Sequence, residues 1–115
     1  MWSNSCTSYQ PTLQKLIEGE KPMNERTIER RLCHEIRALG GLALKFVSPG
    51  LAGVPDRLIL LPGGKAAFVE VKAPGQTLRP LQVRRKAQLE ALGFQVYCLG
   101  GREQIPELIN SILKE

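Results

Sequence analysis

Apolar residues recur once per helical turn at Ile28, Leu32, Ile36 and Leu39, and this spacing predicts a helix with one buried stripe. Asn24 is a good N-cap and Gly40-Gly41 a natural stop, so the helix is expected to run from Asn24 to Leu39. The period then shortens. Leu42–Val47 reads as a first strand, and the apolar runs Leu58–Leu61 and Ala66–Val69 read as two more. Pro62-Gly63-Gly64-Lys65 lies between those two runs, and glycine tolerates the positive φ of a tight turn, so they are expected to pair as a hairpin. A second helix is expected from Pro80 to about Leu92, with Leu81, Leu89 and Leu92 on its inner face. Gln95–Leu99 reads as a largely buried strand, and Ile105–Leu113 as a last helix striped by Ile105, Leu108, Ile109 and Ile112. Residues 1–23 are polar with one apolar patch, Leu13, Leu16 and Ile17, and are broken by Gly19 and Pro22. They are expected to form a loosely ordered extension to a domain at 24–115. The order is αβββαβα, an α/β domain with a small mixed sheet flanked by helices on both faces.

The hairpin carries the chemistry. Antiparallel pairing sets the start of one strand beside the end of the other, which brings Asp56 to the same edge as Glu70 and Lys72. Glu70 and Lys72, two residues apart, point to one face while Val69 and Val71 point to the other. Pro55 fixes φ and suits the first residue of a strand, which holds Asp56 in place. Two carboxylates meeting at a sheet edge repel, and burying each ion costs several kcal/mol without compensation. A divalent cation would compensate, and hard oxygen ligands suit Mg²⁺ or Mn²⁺. Such an edge could direct a water, oriented by Lys72, at a phosphodiester.

Charge changes the picture by its placement. The chain of 115 residues has a formal net charge of +5, which favours polyanionic partners or anionic membranes. Between Val71 and Leu89 stand Lys72, Arg79, Arg84, Arg85 and Lys86 with no acid, either as a phosphate track or as a solvated basic face. Arg85 projects to the inner side of its helix and is expected at the catalytic groove or the scissile phosphate. Arg84 and Lys86 project outward, as phosphate contacts or plain surface charge. The loop Ser48-Pro49-Gly50-Leu51-Ala52-Gly53 either offers backbone N–H groups and the Ser48 hydroxyl to a phosphate or is a simple connection. His34 falls on the polar face of the first helix, toward solvent, whereas Glu35 falls on the apolar stripe near its far end.

The remaining bulk features narrow the class. A hydrophobic content of 43% supports a real core in one domain, leaving no room for a separate recognition domain. No apolar run approaches the ~18 residues of a membrane span, and the start, Met1-Trp2-Ser3-Asn4-Ser5, reads as no signal peptide. Cys6, Cys33 and Cys98 are an odd count without a CxxC pair, which argues against a disulfide framework or zinc site and for a reducing cytosol, with Cys33 and Cys98 as small core hydrophobes.

Pro55-Asp56, then Glu70-Val71-Lys72, resembles the PD-(D/E)XK nuclease signature. Its flanks, Gly40–Gly50, Gly53-Val54-Pro55-Asp56-Arg57, Ala73-Pro74-Gly75, Leu81-Gln82 and Leu92-Gly93-Phe94, resemble the VRR-NUC branch of that superfamily over residues 24–100. The resemblance implies a restriction endonuclease-like core and a metal held by Asp56, Glu70 and the Val71 carbonyl. It also implies a glutamine at the site, matched by Gln82. In related Holliday junction resolvases the first helix supplies a glutamate at an interval before its closing glycine that Glu29 fits; Glu25, one turn earlier, is the rival. The expected activity is Mg²⁺- or Mn²⁺-dependent hydrolysis of DNA to 5′-phosphate ends, in the cytosol of a bacterial host, by a stand-alone protein of phage or bacterial type. A compact domain without a base-reading element points to recognition by shape, so a homodimer acting on Holliday junctions is the first expectation. A monomeric flap or nicking nuclease, and a non-catalytic DNA-binding module, are the alternatives.

Overall fold

A computed structural model describes residues 24–115. Helix α1 spans Glu25–Ala38, followed by strands β1 (Leu42–Lys45), β2 (Arg57–Leu61) and β3 (Lys65–Val71). Helix α2 (Pro80–Ala91), strand β4 (Val96–Leu99), a 3-10 turn (Arg102–Gln104) and helix α3 (Ile105–Leu113) complete the domain. The sheet runs β1-β2-β3-β4; the first two pairings are antiparallel and β3–β4 is parallel. This is the mixed α/β architecture that the periodicity predicts. The expected extension at residues 1–23 lies outside the described residues.

Local chemistry accounts for the elements. The Asn24 side chain accepts hydrogen bonds from the Thr27 N–H and hydroxyl, both at 2.8 Å, and so fixes where α1 begins. Ile28, Leu32 and Ile36 are then wholly buried against Ile59, Leu61, Val69 and Val71, and α3 packs on the same sheet face through Ile105, Leu108, Ile109 and Ile112. Each such side chain contributes about 1.5–3 kcal/mol by leaving water. The β2–β3 turn is made by Pro62, Gly63 and Gly64, with both glycines at positive φ (88° and 75°).

Three expectations need correction. Helix α2 has no buried residue, and Leu81 and Leu92 of its expected inner face are 39% and 68% exposed. Leu89 is half-buried, and polar hooks from Gln82 and Arg85 add to what packing the helix has. Glu35 is not in the core stripe; it is partly exposed and lies 3.7 Å from Arg31. Neither cysteine is the small core thiol expected: Cys98 is buried but disulfide-bonded, and Cys33 is free but only half-buried, at a surface groove beside His34. Among the described residues no helix is long and apolar enough to cross a membrane.

Candidate active site

The β2–β3 register pairs Arg57 with Val69, which sets Asp56 beside Glu70 at the end of the hairpin. Asp56 Oδ1 accepts a hydrogen bond of 3.2 Å from the Val71 N–H, so the strand that carries Glu70 also orients Asp56. Glu70 and Lys72 are each only 7% exposed, and Lys72 Nζ lies 3.9 Å from Glu70 Oε2. Val69 and Val71 point to the opposite, apolar face and are fully buried.

Gln82 joins this group from α2. Its Nε2 donates to Glu70 Oε2 at 3.0 Å, while its Oε1 accepts from the Arg79 N–H at 2.9 Å. The second bond fixes which end of the amide faces the acid. Thus Gln82 caps its own helix and aims a donor at Glu70 with one side chain.

Helix α1 contributes Glu25 and Glu29. One carboxylate oxygen from each of Glu25, Glu29 and Asp56 lies within 4.8 Å of the others, a donor set of the hard-oxygen type that suits a divalent cation. The two glutamates differ in their surroundings. Glu29 Oε2 is 2.9 Å from Arg57 Nη2, and Arg57 Nη1 also donates to the Ala43 carbonyl at 3.3 Å. Arg57 therefore fastens Glu29 to β1 and β2, and its own Nε is buried without a partner. Glu25 has no such cation among the described residues, and its charge acts on both Asp56 and Glu70.

The electrostatics follow from burial. Desolvation raises the Asp56 carboxyl to about 6, with repulsion from Glu29 and Glu25 adding and the Val71 N–H opposing. Desolvation likewise raises Glu70 to about 7, with repulsion from Asp56 adding and Lys72 opposing. Acids held this way are destabilised as anions, and a bound cation would relieve them.

The residues of the basic segment separate into two groups. Arg85, expected at the catalytic groove, is turned elsewhere: its Nε donates to the Ala52 carbonyl at 2.9 Å and its Nη1 to Gln88 at 2.6 Å. It latches the 48–53 loop onto α2. Lys86, expected on the outer face, is largely covered, pairs with Glu90 at 3.0 Å, and lines a small crevice beside Glu70 and Gln82. Arg79 and Arg84 are exposed, and Ser48 is half-buried in the loop. Gly53 has φ +83°, and a Cβ there would stand 2.8 Å from Leu81 Cγ and 2.9 Å from its carbonyl oxygen, so the loop and α2 touch where only glycine fits. Sequence reasoning missed Arg57 altogether. The alternation of β2, which puts Arg57 on the face of Ile59 and Leu61 against α1, was the available signal.

The chain is similar to known proteins over most of its length. The family model of the VRR-NUC domain matches residues 4–103. A protein of Acyrthosiphon pisum secondary endosymbiont phage 1 bearing the name "Putative nuclease p44" is 53% identical over 81 residues, covering 70% of this chain and 87% of that protein. A solved structure described as a VRR_NUC domain superposes with a TM-score of 0.70 at 33% identity, covering 75% of this chain and 94% of its own. By fold and sequence alike, the chain belongs to the VRR-NUC domain family.

Proposed function

We propose that the protein is a Mg²⁺- or Mn²⁺-dependent endonuclease that cleaves branched DNA, with four-way junctions as its substrate and a homodimer as its working form. The observation that carries this reading is the convergence of Asp56, Glu70, Lys72 and Gln82 at one end of the hairpin, with Glu25 and Glu29 joining it from α1. The similarity to a phage protein named as a nuclease supports it.

Asp56, Glu70 and the Val71 carbonyl would hold the ion, and the α1 glutamates would close the site directly or through water. The chemistry such an ion would supply there is neutralisation of the charge developing on the phosphate and a lower pKa for an attacking water. The chain's own groups do the rest. Gln82 and the Val71 N–H fix the two acids before substrate arrives, so little reorganisation is left for the reaction. Lys72 places a positive group beside Glu70, where it can hold the nucleophilic water and accompany its proton loss. Exposed Arg79 and Arg84, the half-buried Ser48 and Lys86 at the crevice are the phosphate contacts on the α2 side, and Arg85 serves them by holding the loop. Hydrolysis leaves a 5′-phosphate.

Labelled four-way junction, flap and linear duplex, each incubated with Mg²⁺ or Mn²⁺, test the proposal. Paired symmetric nicks on the junction, absent with Lys72→Ala, are the expected result. A monomer that prefers flaps would replace the junction reading, and binding without cleavage under either metal would remove the nuclease reading.

A further inference from the structure

The proposed chemistry leaves the outer side of α1 unused, and the charges there are unevenly matched. Glu25 and Glu29 join the acidic edge, and Glu35 sits by Arg31 in a loose, exposed pair at 3.7 Å. Arg26, Arg30 and Arg37 are exposed and enter no ion pair among the described residues. At these spacings the three share one stripe of the helix, with Cys33 and His34 between them, next to the edge that carries Glu25 and Glu29. Two surface grooves run beside this stripe. Arg30 and His34 line both; Thr27, Arg31 and Arg102 complete one, and Cys33, Arg37 and Ala38 the other, with no acid in either.

We infer that this face of α1 is a second nucleic-acid contact, which takes the phosphate backbone of a duplex arm leading away from the cleavage site. The inference rests on the nuclease reading for its substrate but uses none of the catalytic residues. Guanidinium groups bind phosphate bidentately and are weakly hydrated, so exposed arginines can exchange water for phosphate at small cost. From Arg26 to Arg37 the helix rises about 16 Å, long enough to follow several phosphates of one strand. The stripe meets the acidic edge at the first turn of α1, so a backbone lying on it is delivered toward Asp56 and Glu70. Contacts of this kind carry no base sequence, as recognition by shape requires.

The test is salt-dependent binding of a short fluorescent duplex and of a four-way junction to the full chain in EDTA, where no cleavage intervenes. Arg30→Gln/Arg37→Gln is expected to weaken binding and to reduce the slope of log K against log salt by about two, roughly 0.9 for each phosphate no longer neutralised. Lys65→Gln/Lys114→Gln removes the same charge elsewhere and is expected to leave the slope within a fraction of a unit. Arg30→Lys/Arg37→Lys, which keeps the charge, should retain most of the slope and guards against misfolding of the glutamine variant. An unchanged slope in the glutamine variant, or an equal reduction in the Lys65/Lys114 control, overturns the inference while leaving cleavage untouched. Wild-type protein that binds DNA with the arginine-dependent slope yet cleaves nothing would overturn the nuclease reading and leave this one standing.

Discussion

Glu25 and Glu29 sit one helical turn apart, and what separates them chemically is Arg57. A carboxylate already 2.9 Å from a guanidinium gains less from a cation than one with no such neighbour. Glu25→Gln is therefore expected to weaken Mn²⁺ binding, read by titration calorimetry, more than Glu29→Gln does. Arg57→Ala removes that competing guanidinium, so in its background Glu29→Gln should cost Mn²⁺ affinity nearly as much as Glu25→Gln does. The raised acids give a second expectation. With folded values of about 6 for Asp56 and about 7 for Glu70 against 3.8 and 4.5, the metal-free fold prefers both protonated. That stability is present in full below about pH 4 and is lost as pH rises through 6 to 7. In EDTA the melting temperature should fall from about pH 5 to about pH 8 by more than about 5 °C. Mn²⁺ should restore it at the upper pH, and Asp56→Asn/Glu70→Gln should flatten the dependence.

At the scale of elements, the sequence was most legible where burial decides. The stripe Ile28, Leu32, Ile36 and the stripe of α3 announce their faces because each packs on an apolar sheet surface. The two-residue periodicity of the hairpin likewise implied that Glu70 and Lys72 leave the core together. Helix α2 was misread because an amphipathic projection says which residues share a side, not what lies beneath them. Its polar ties, Gln82 to Glu70 and Arg85 to Ala52, reach across twelve and thirty-three residues of chain, which no local pattern encodes. Arg57 was invisible for the same reason: its partner Glu29 is twenty-eight residues away, and an arginine beginning a strand reads as surface charge. The Gly53–Leu81 contact offers a test of how tightly α2 holds the loop. Gly53→Ala meets a backbone carbonyl as well as a side chain, so it should cost about 1–3 kcal/mol in urea unfolding, and Leu81→Ala should rescue it only in part.

For the molecule as a whole, all the groups assigned to the chemistry lie at one end of the sheet. One copy of the chain would therefore offer one cleavage site on the proposed reading, and cutting a junction symmetrically would require two. If the working form is a homodimer, wild-type protein mixed with excess Lys72→Ala should form mixed dimers that nick one strand of the junction and leave its partner intact. Gel analysis under denaturing and native conditions separates that product from resolved arms, and light scattering checks the dimer directly.

The acids at the mouth of the hairpin have one more consequence, for how the chain acquires its shape. Asp56 and Glu70 are joined by a short local segment, so they are brought face to face as soon as β2 and β3 zip together, before distant parts need to arrive. Their mutual repulsion then opposes an early event in self-assembly. Stopped-flow refolding in Mg²⁺ should accordingly be faster than in EDTA, the ion acting on the way up the barrier as well as beyond it. The ion proposed to break the substrate's backbone would thereby also hasten the folding of the protein's own.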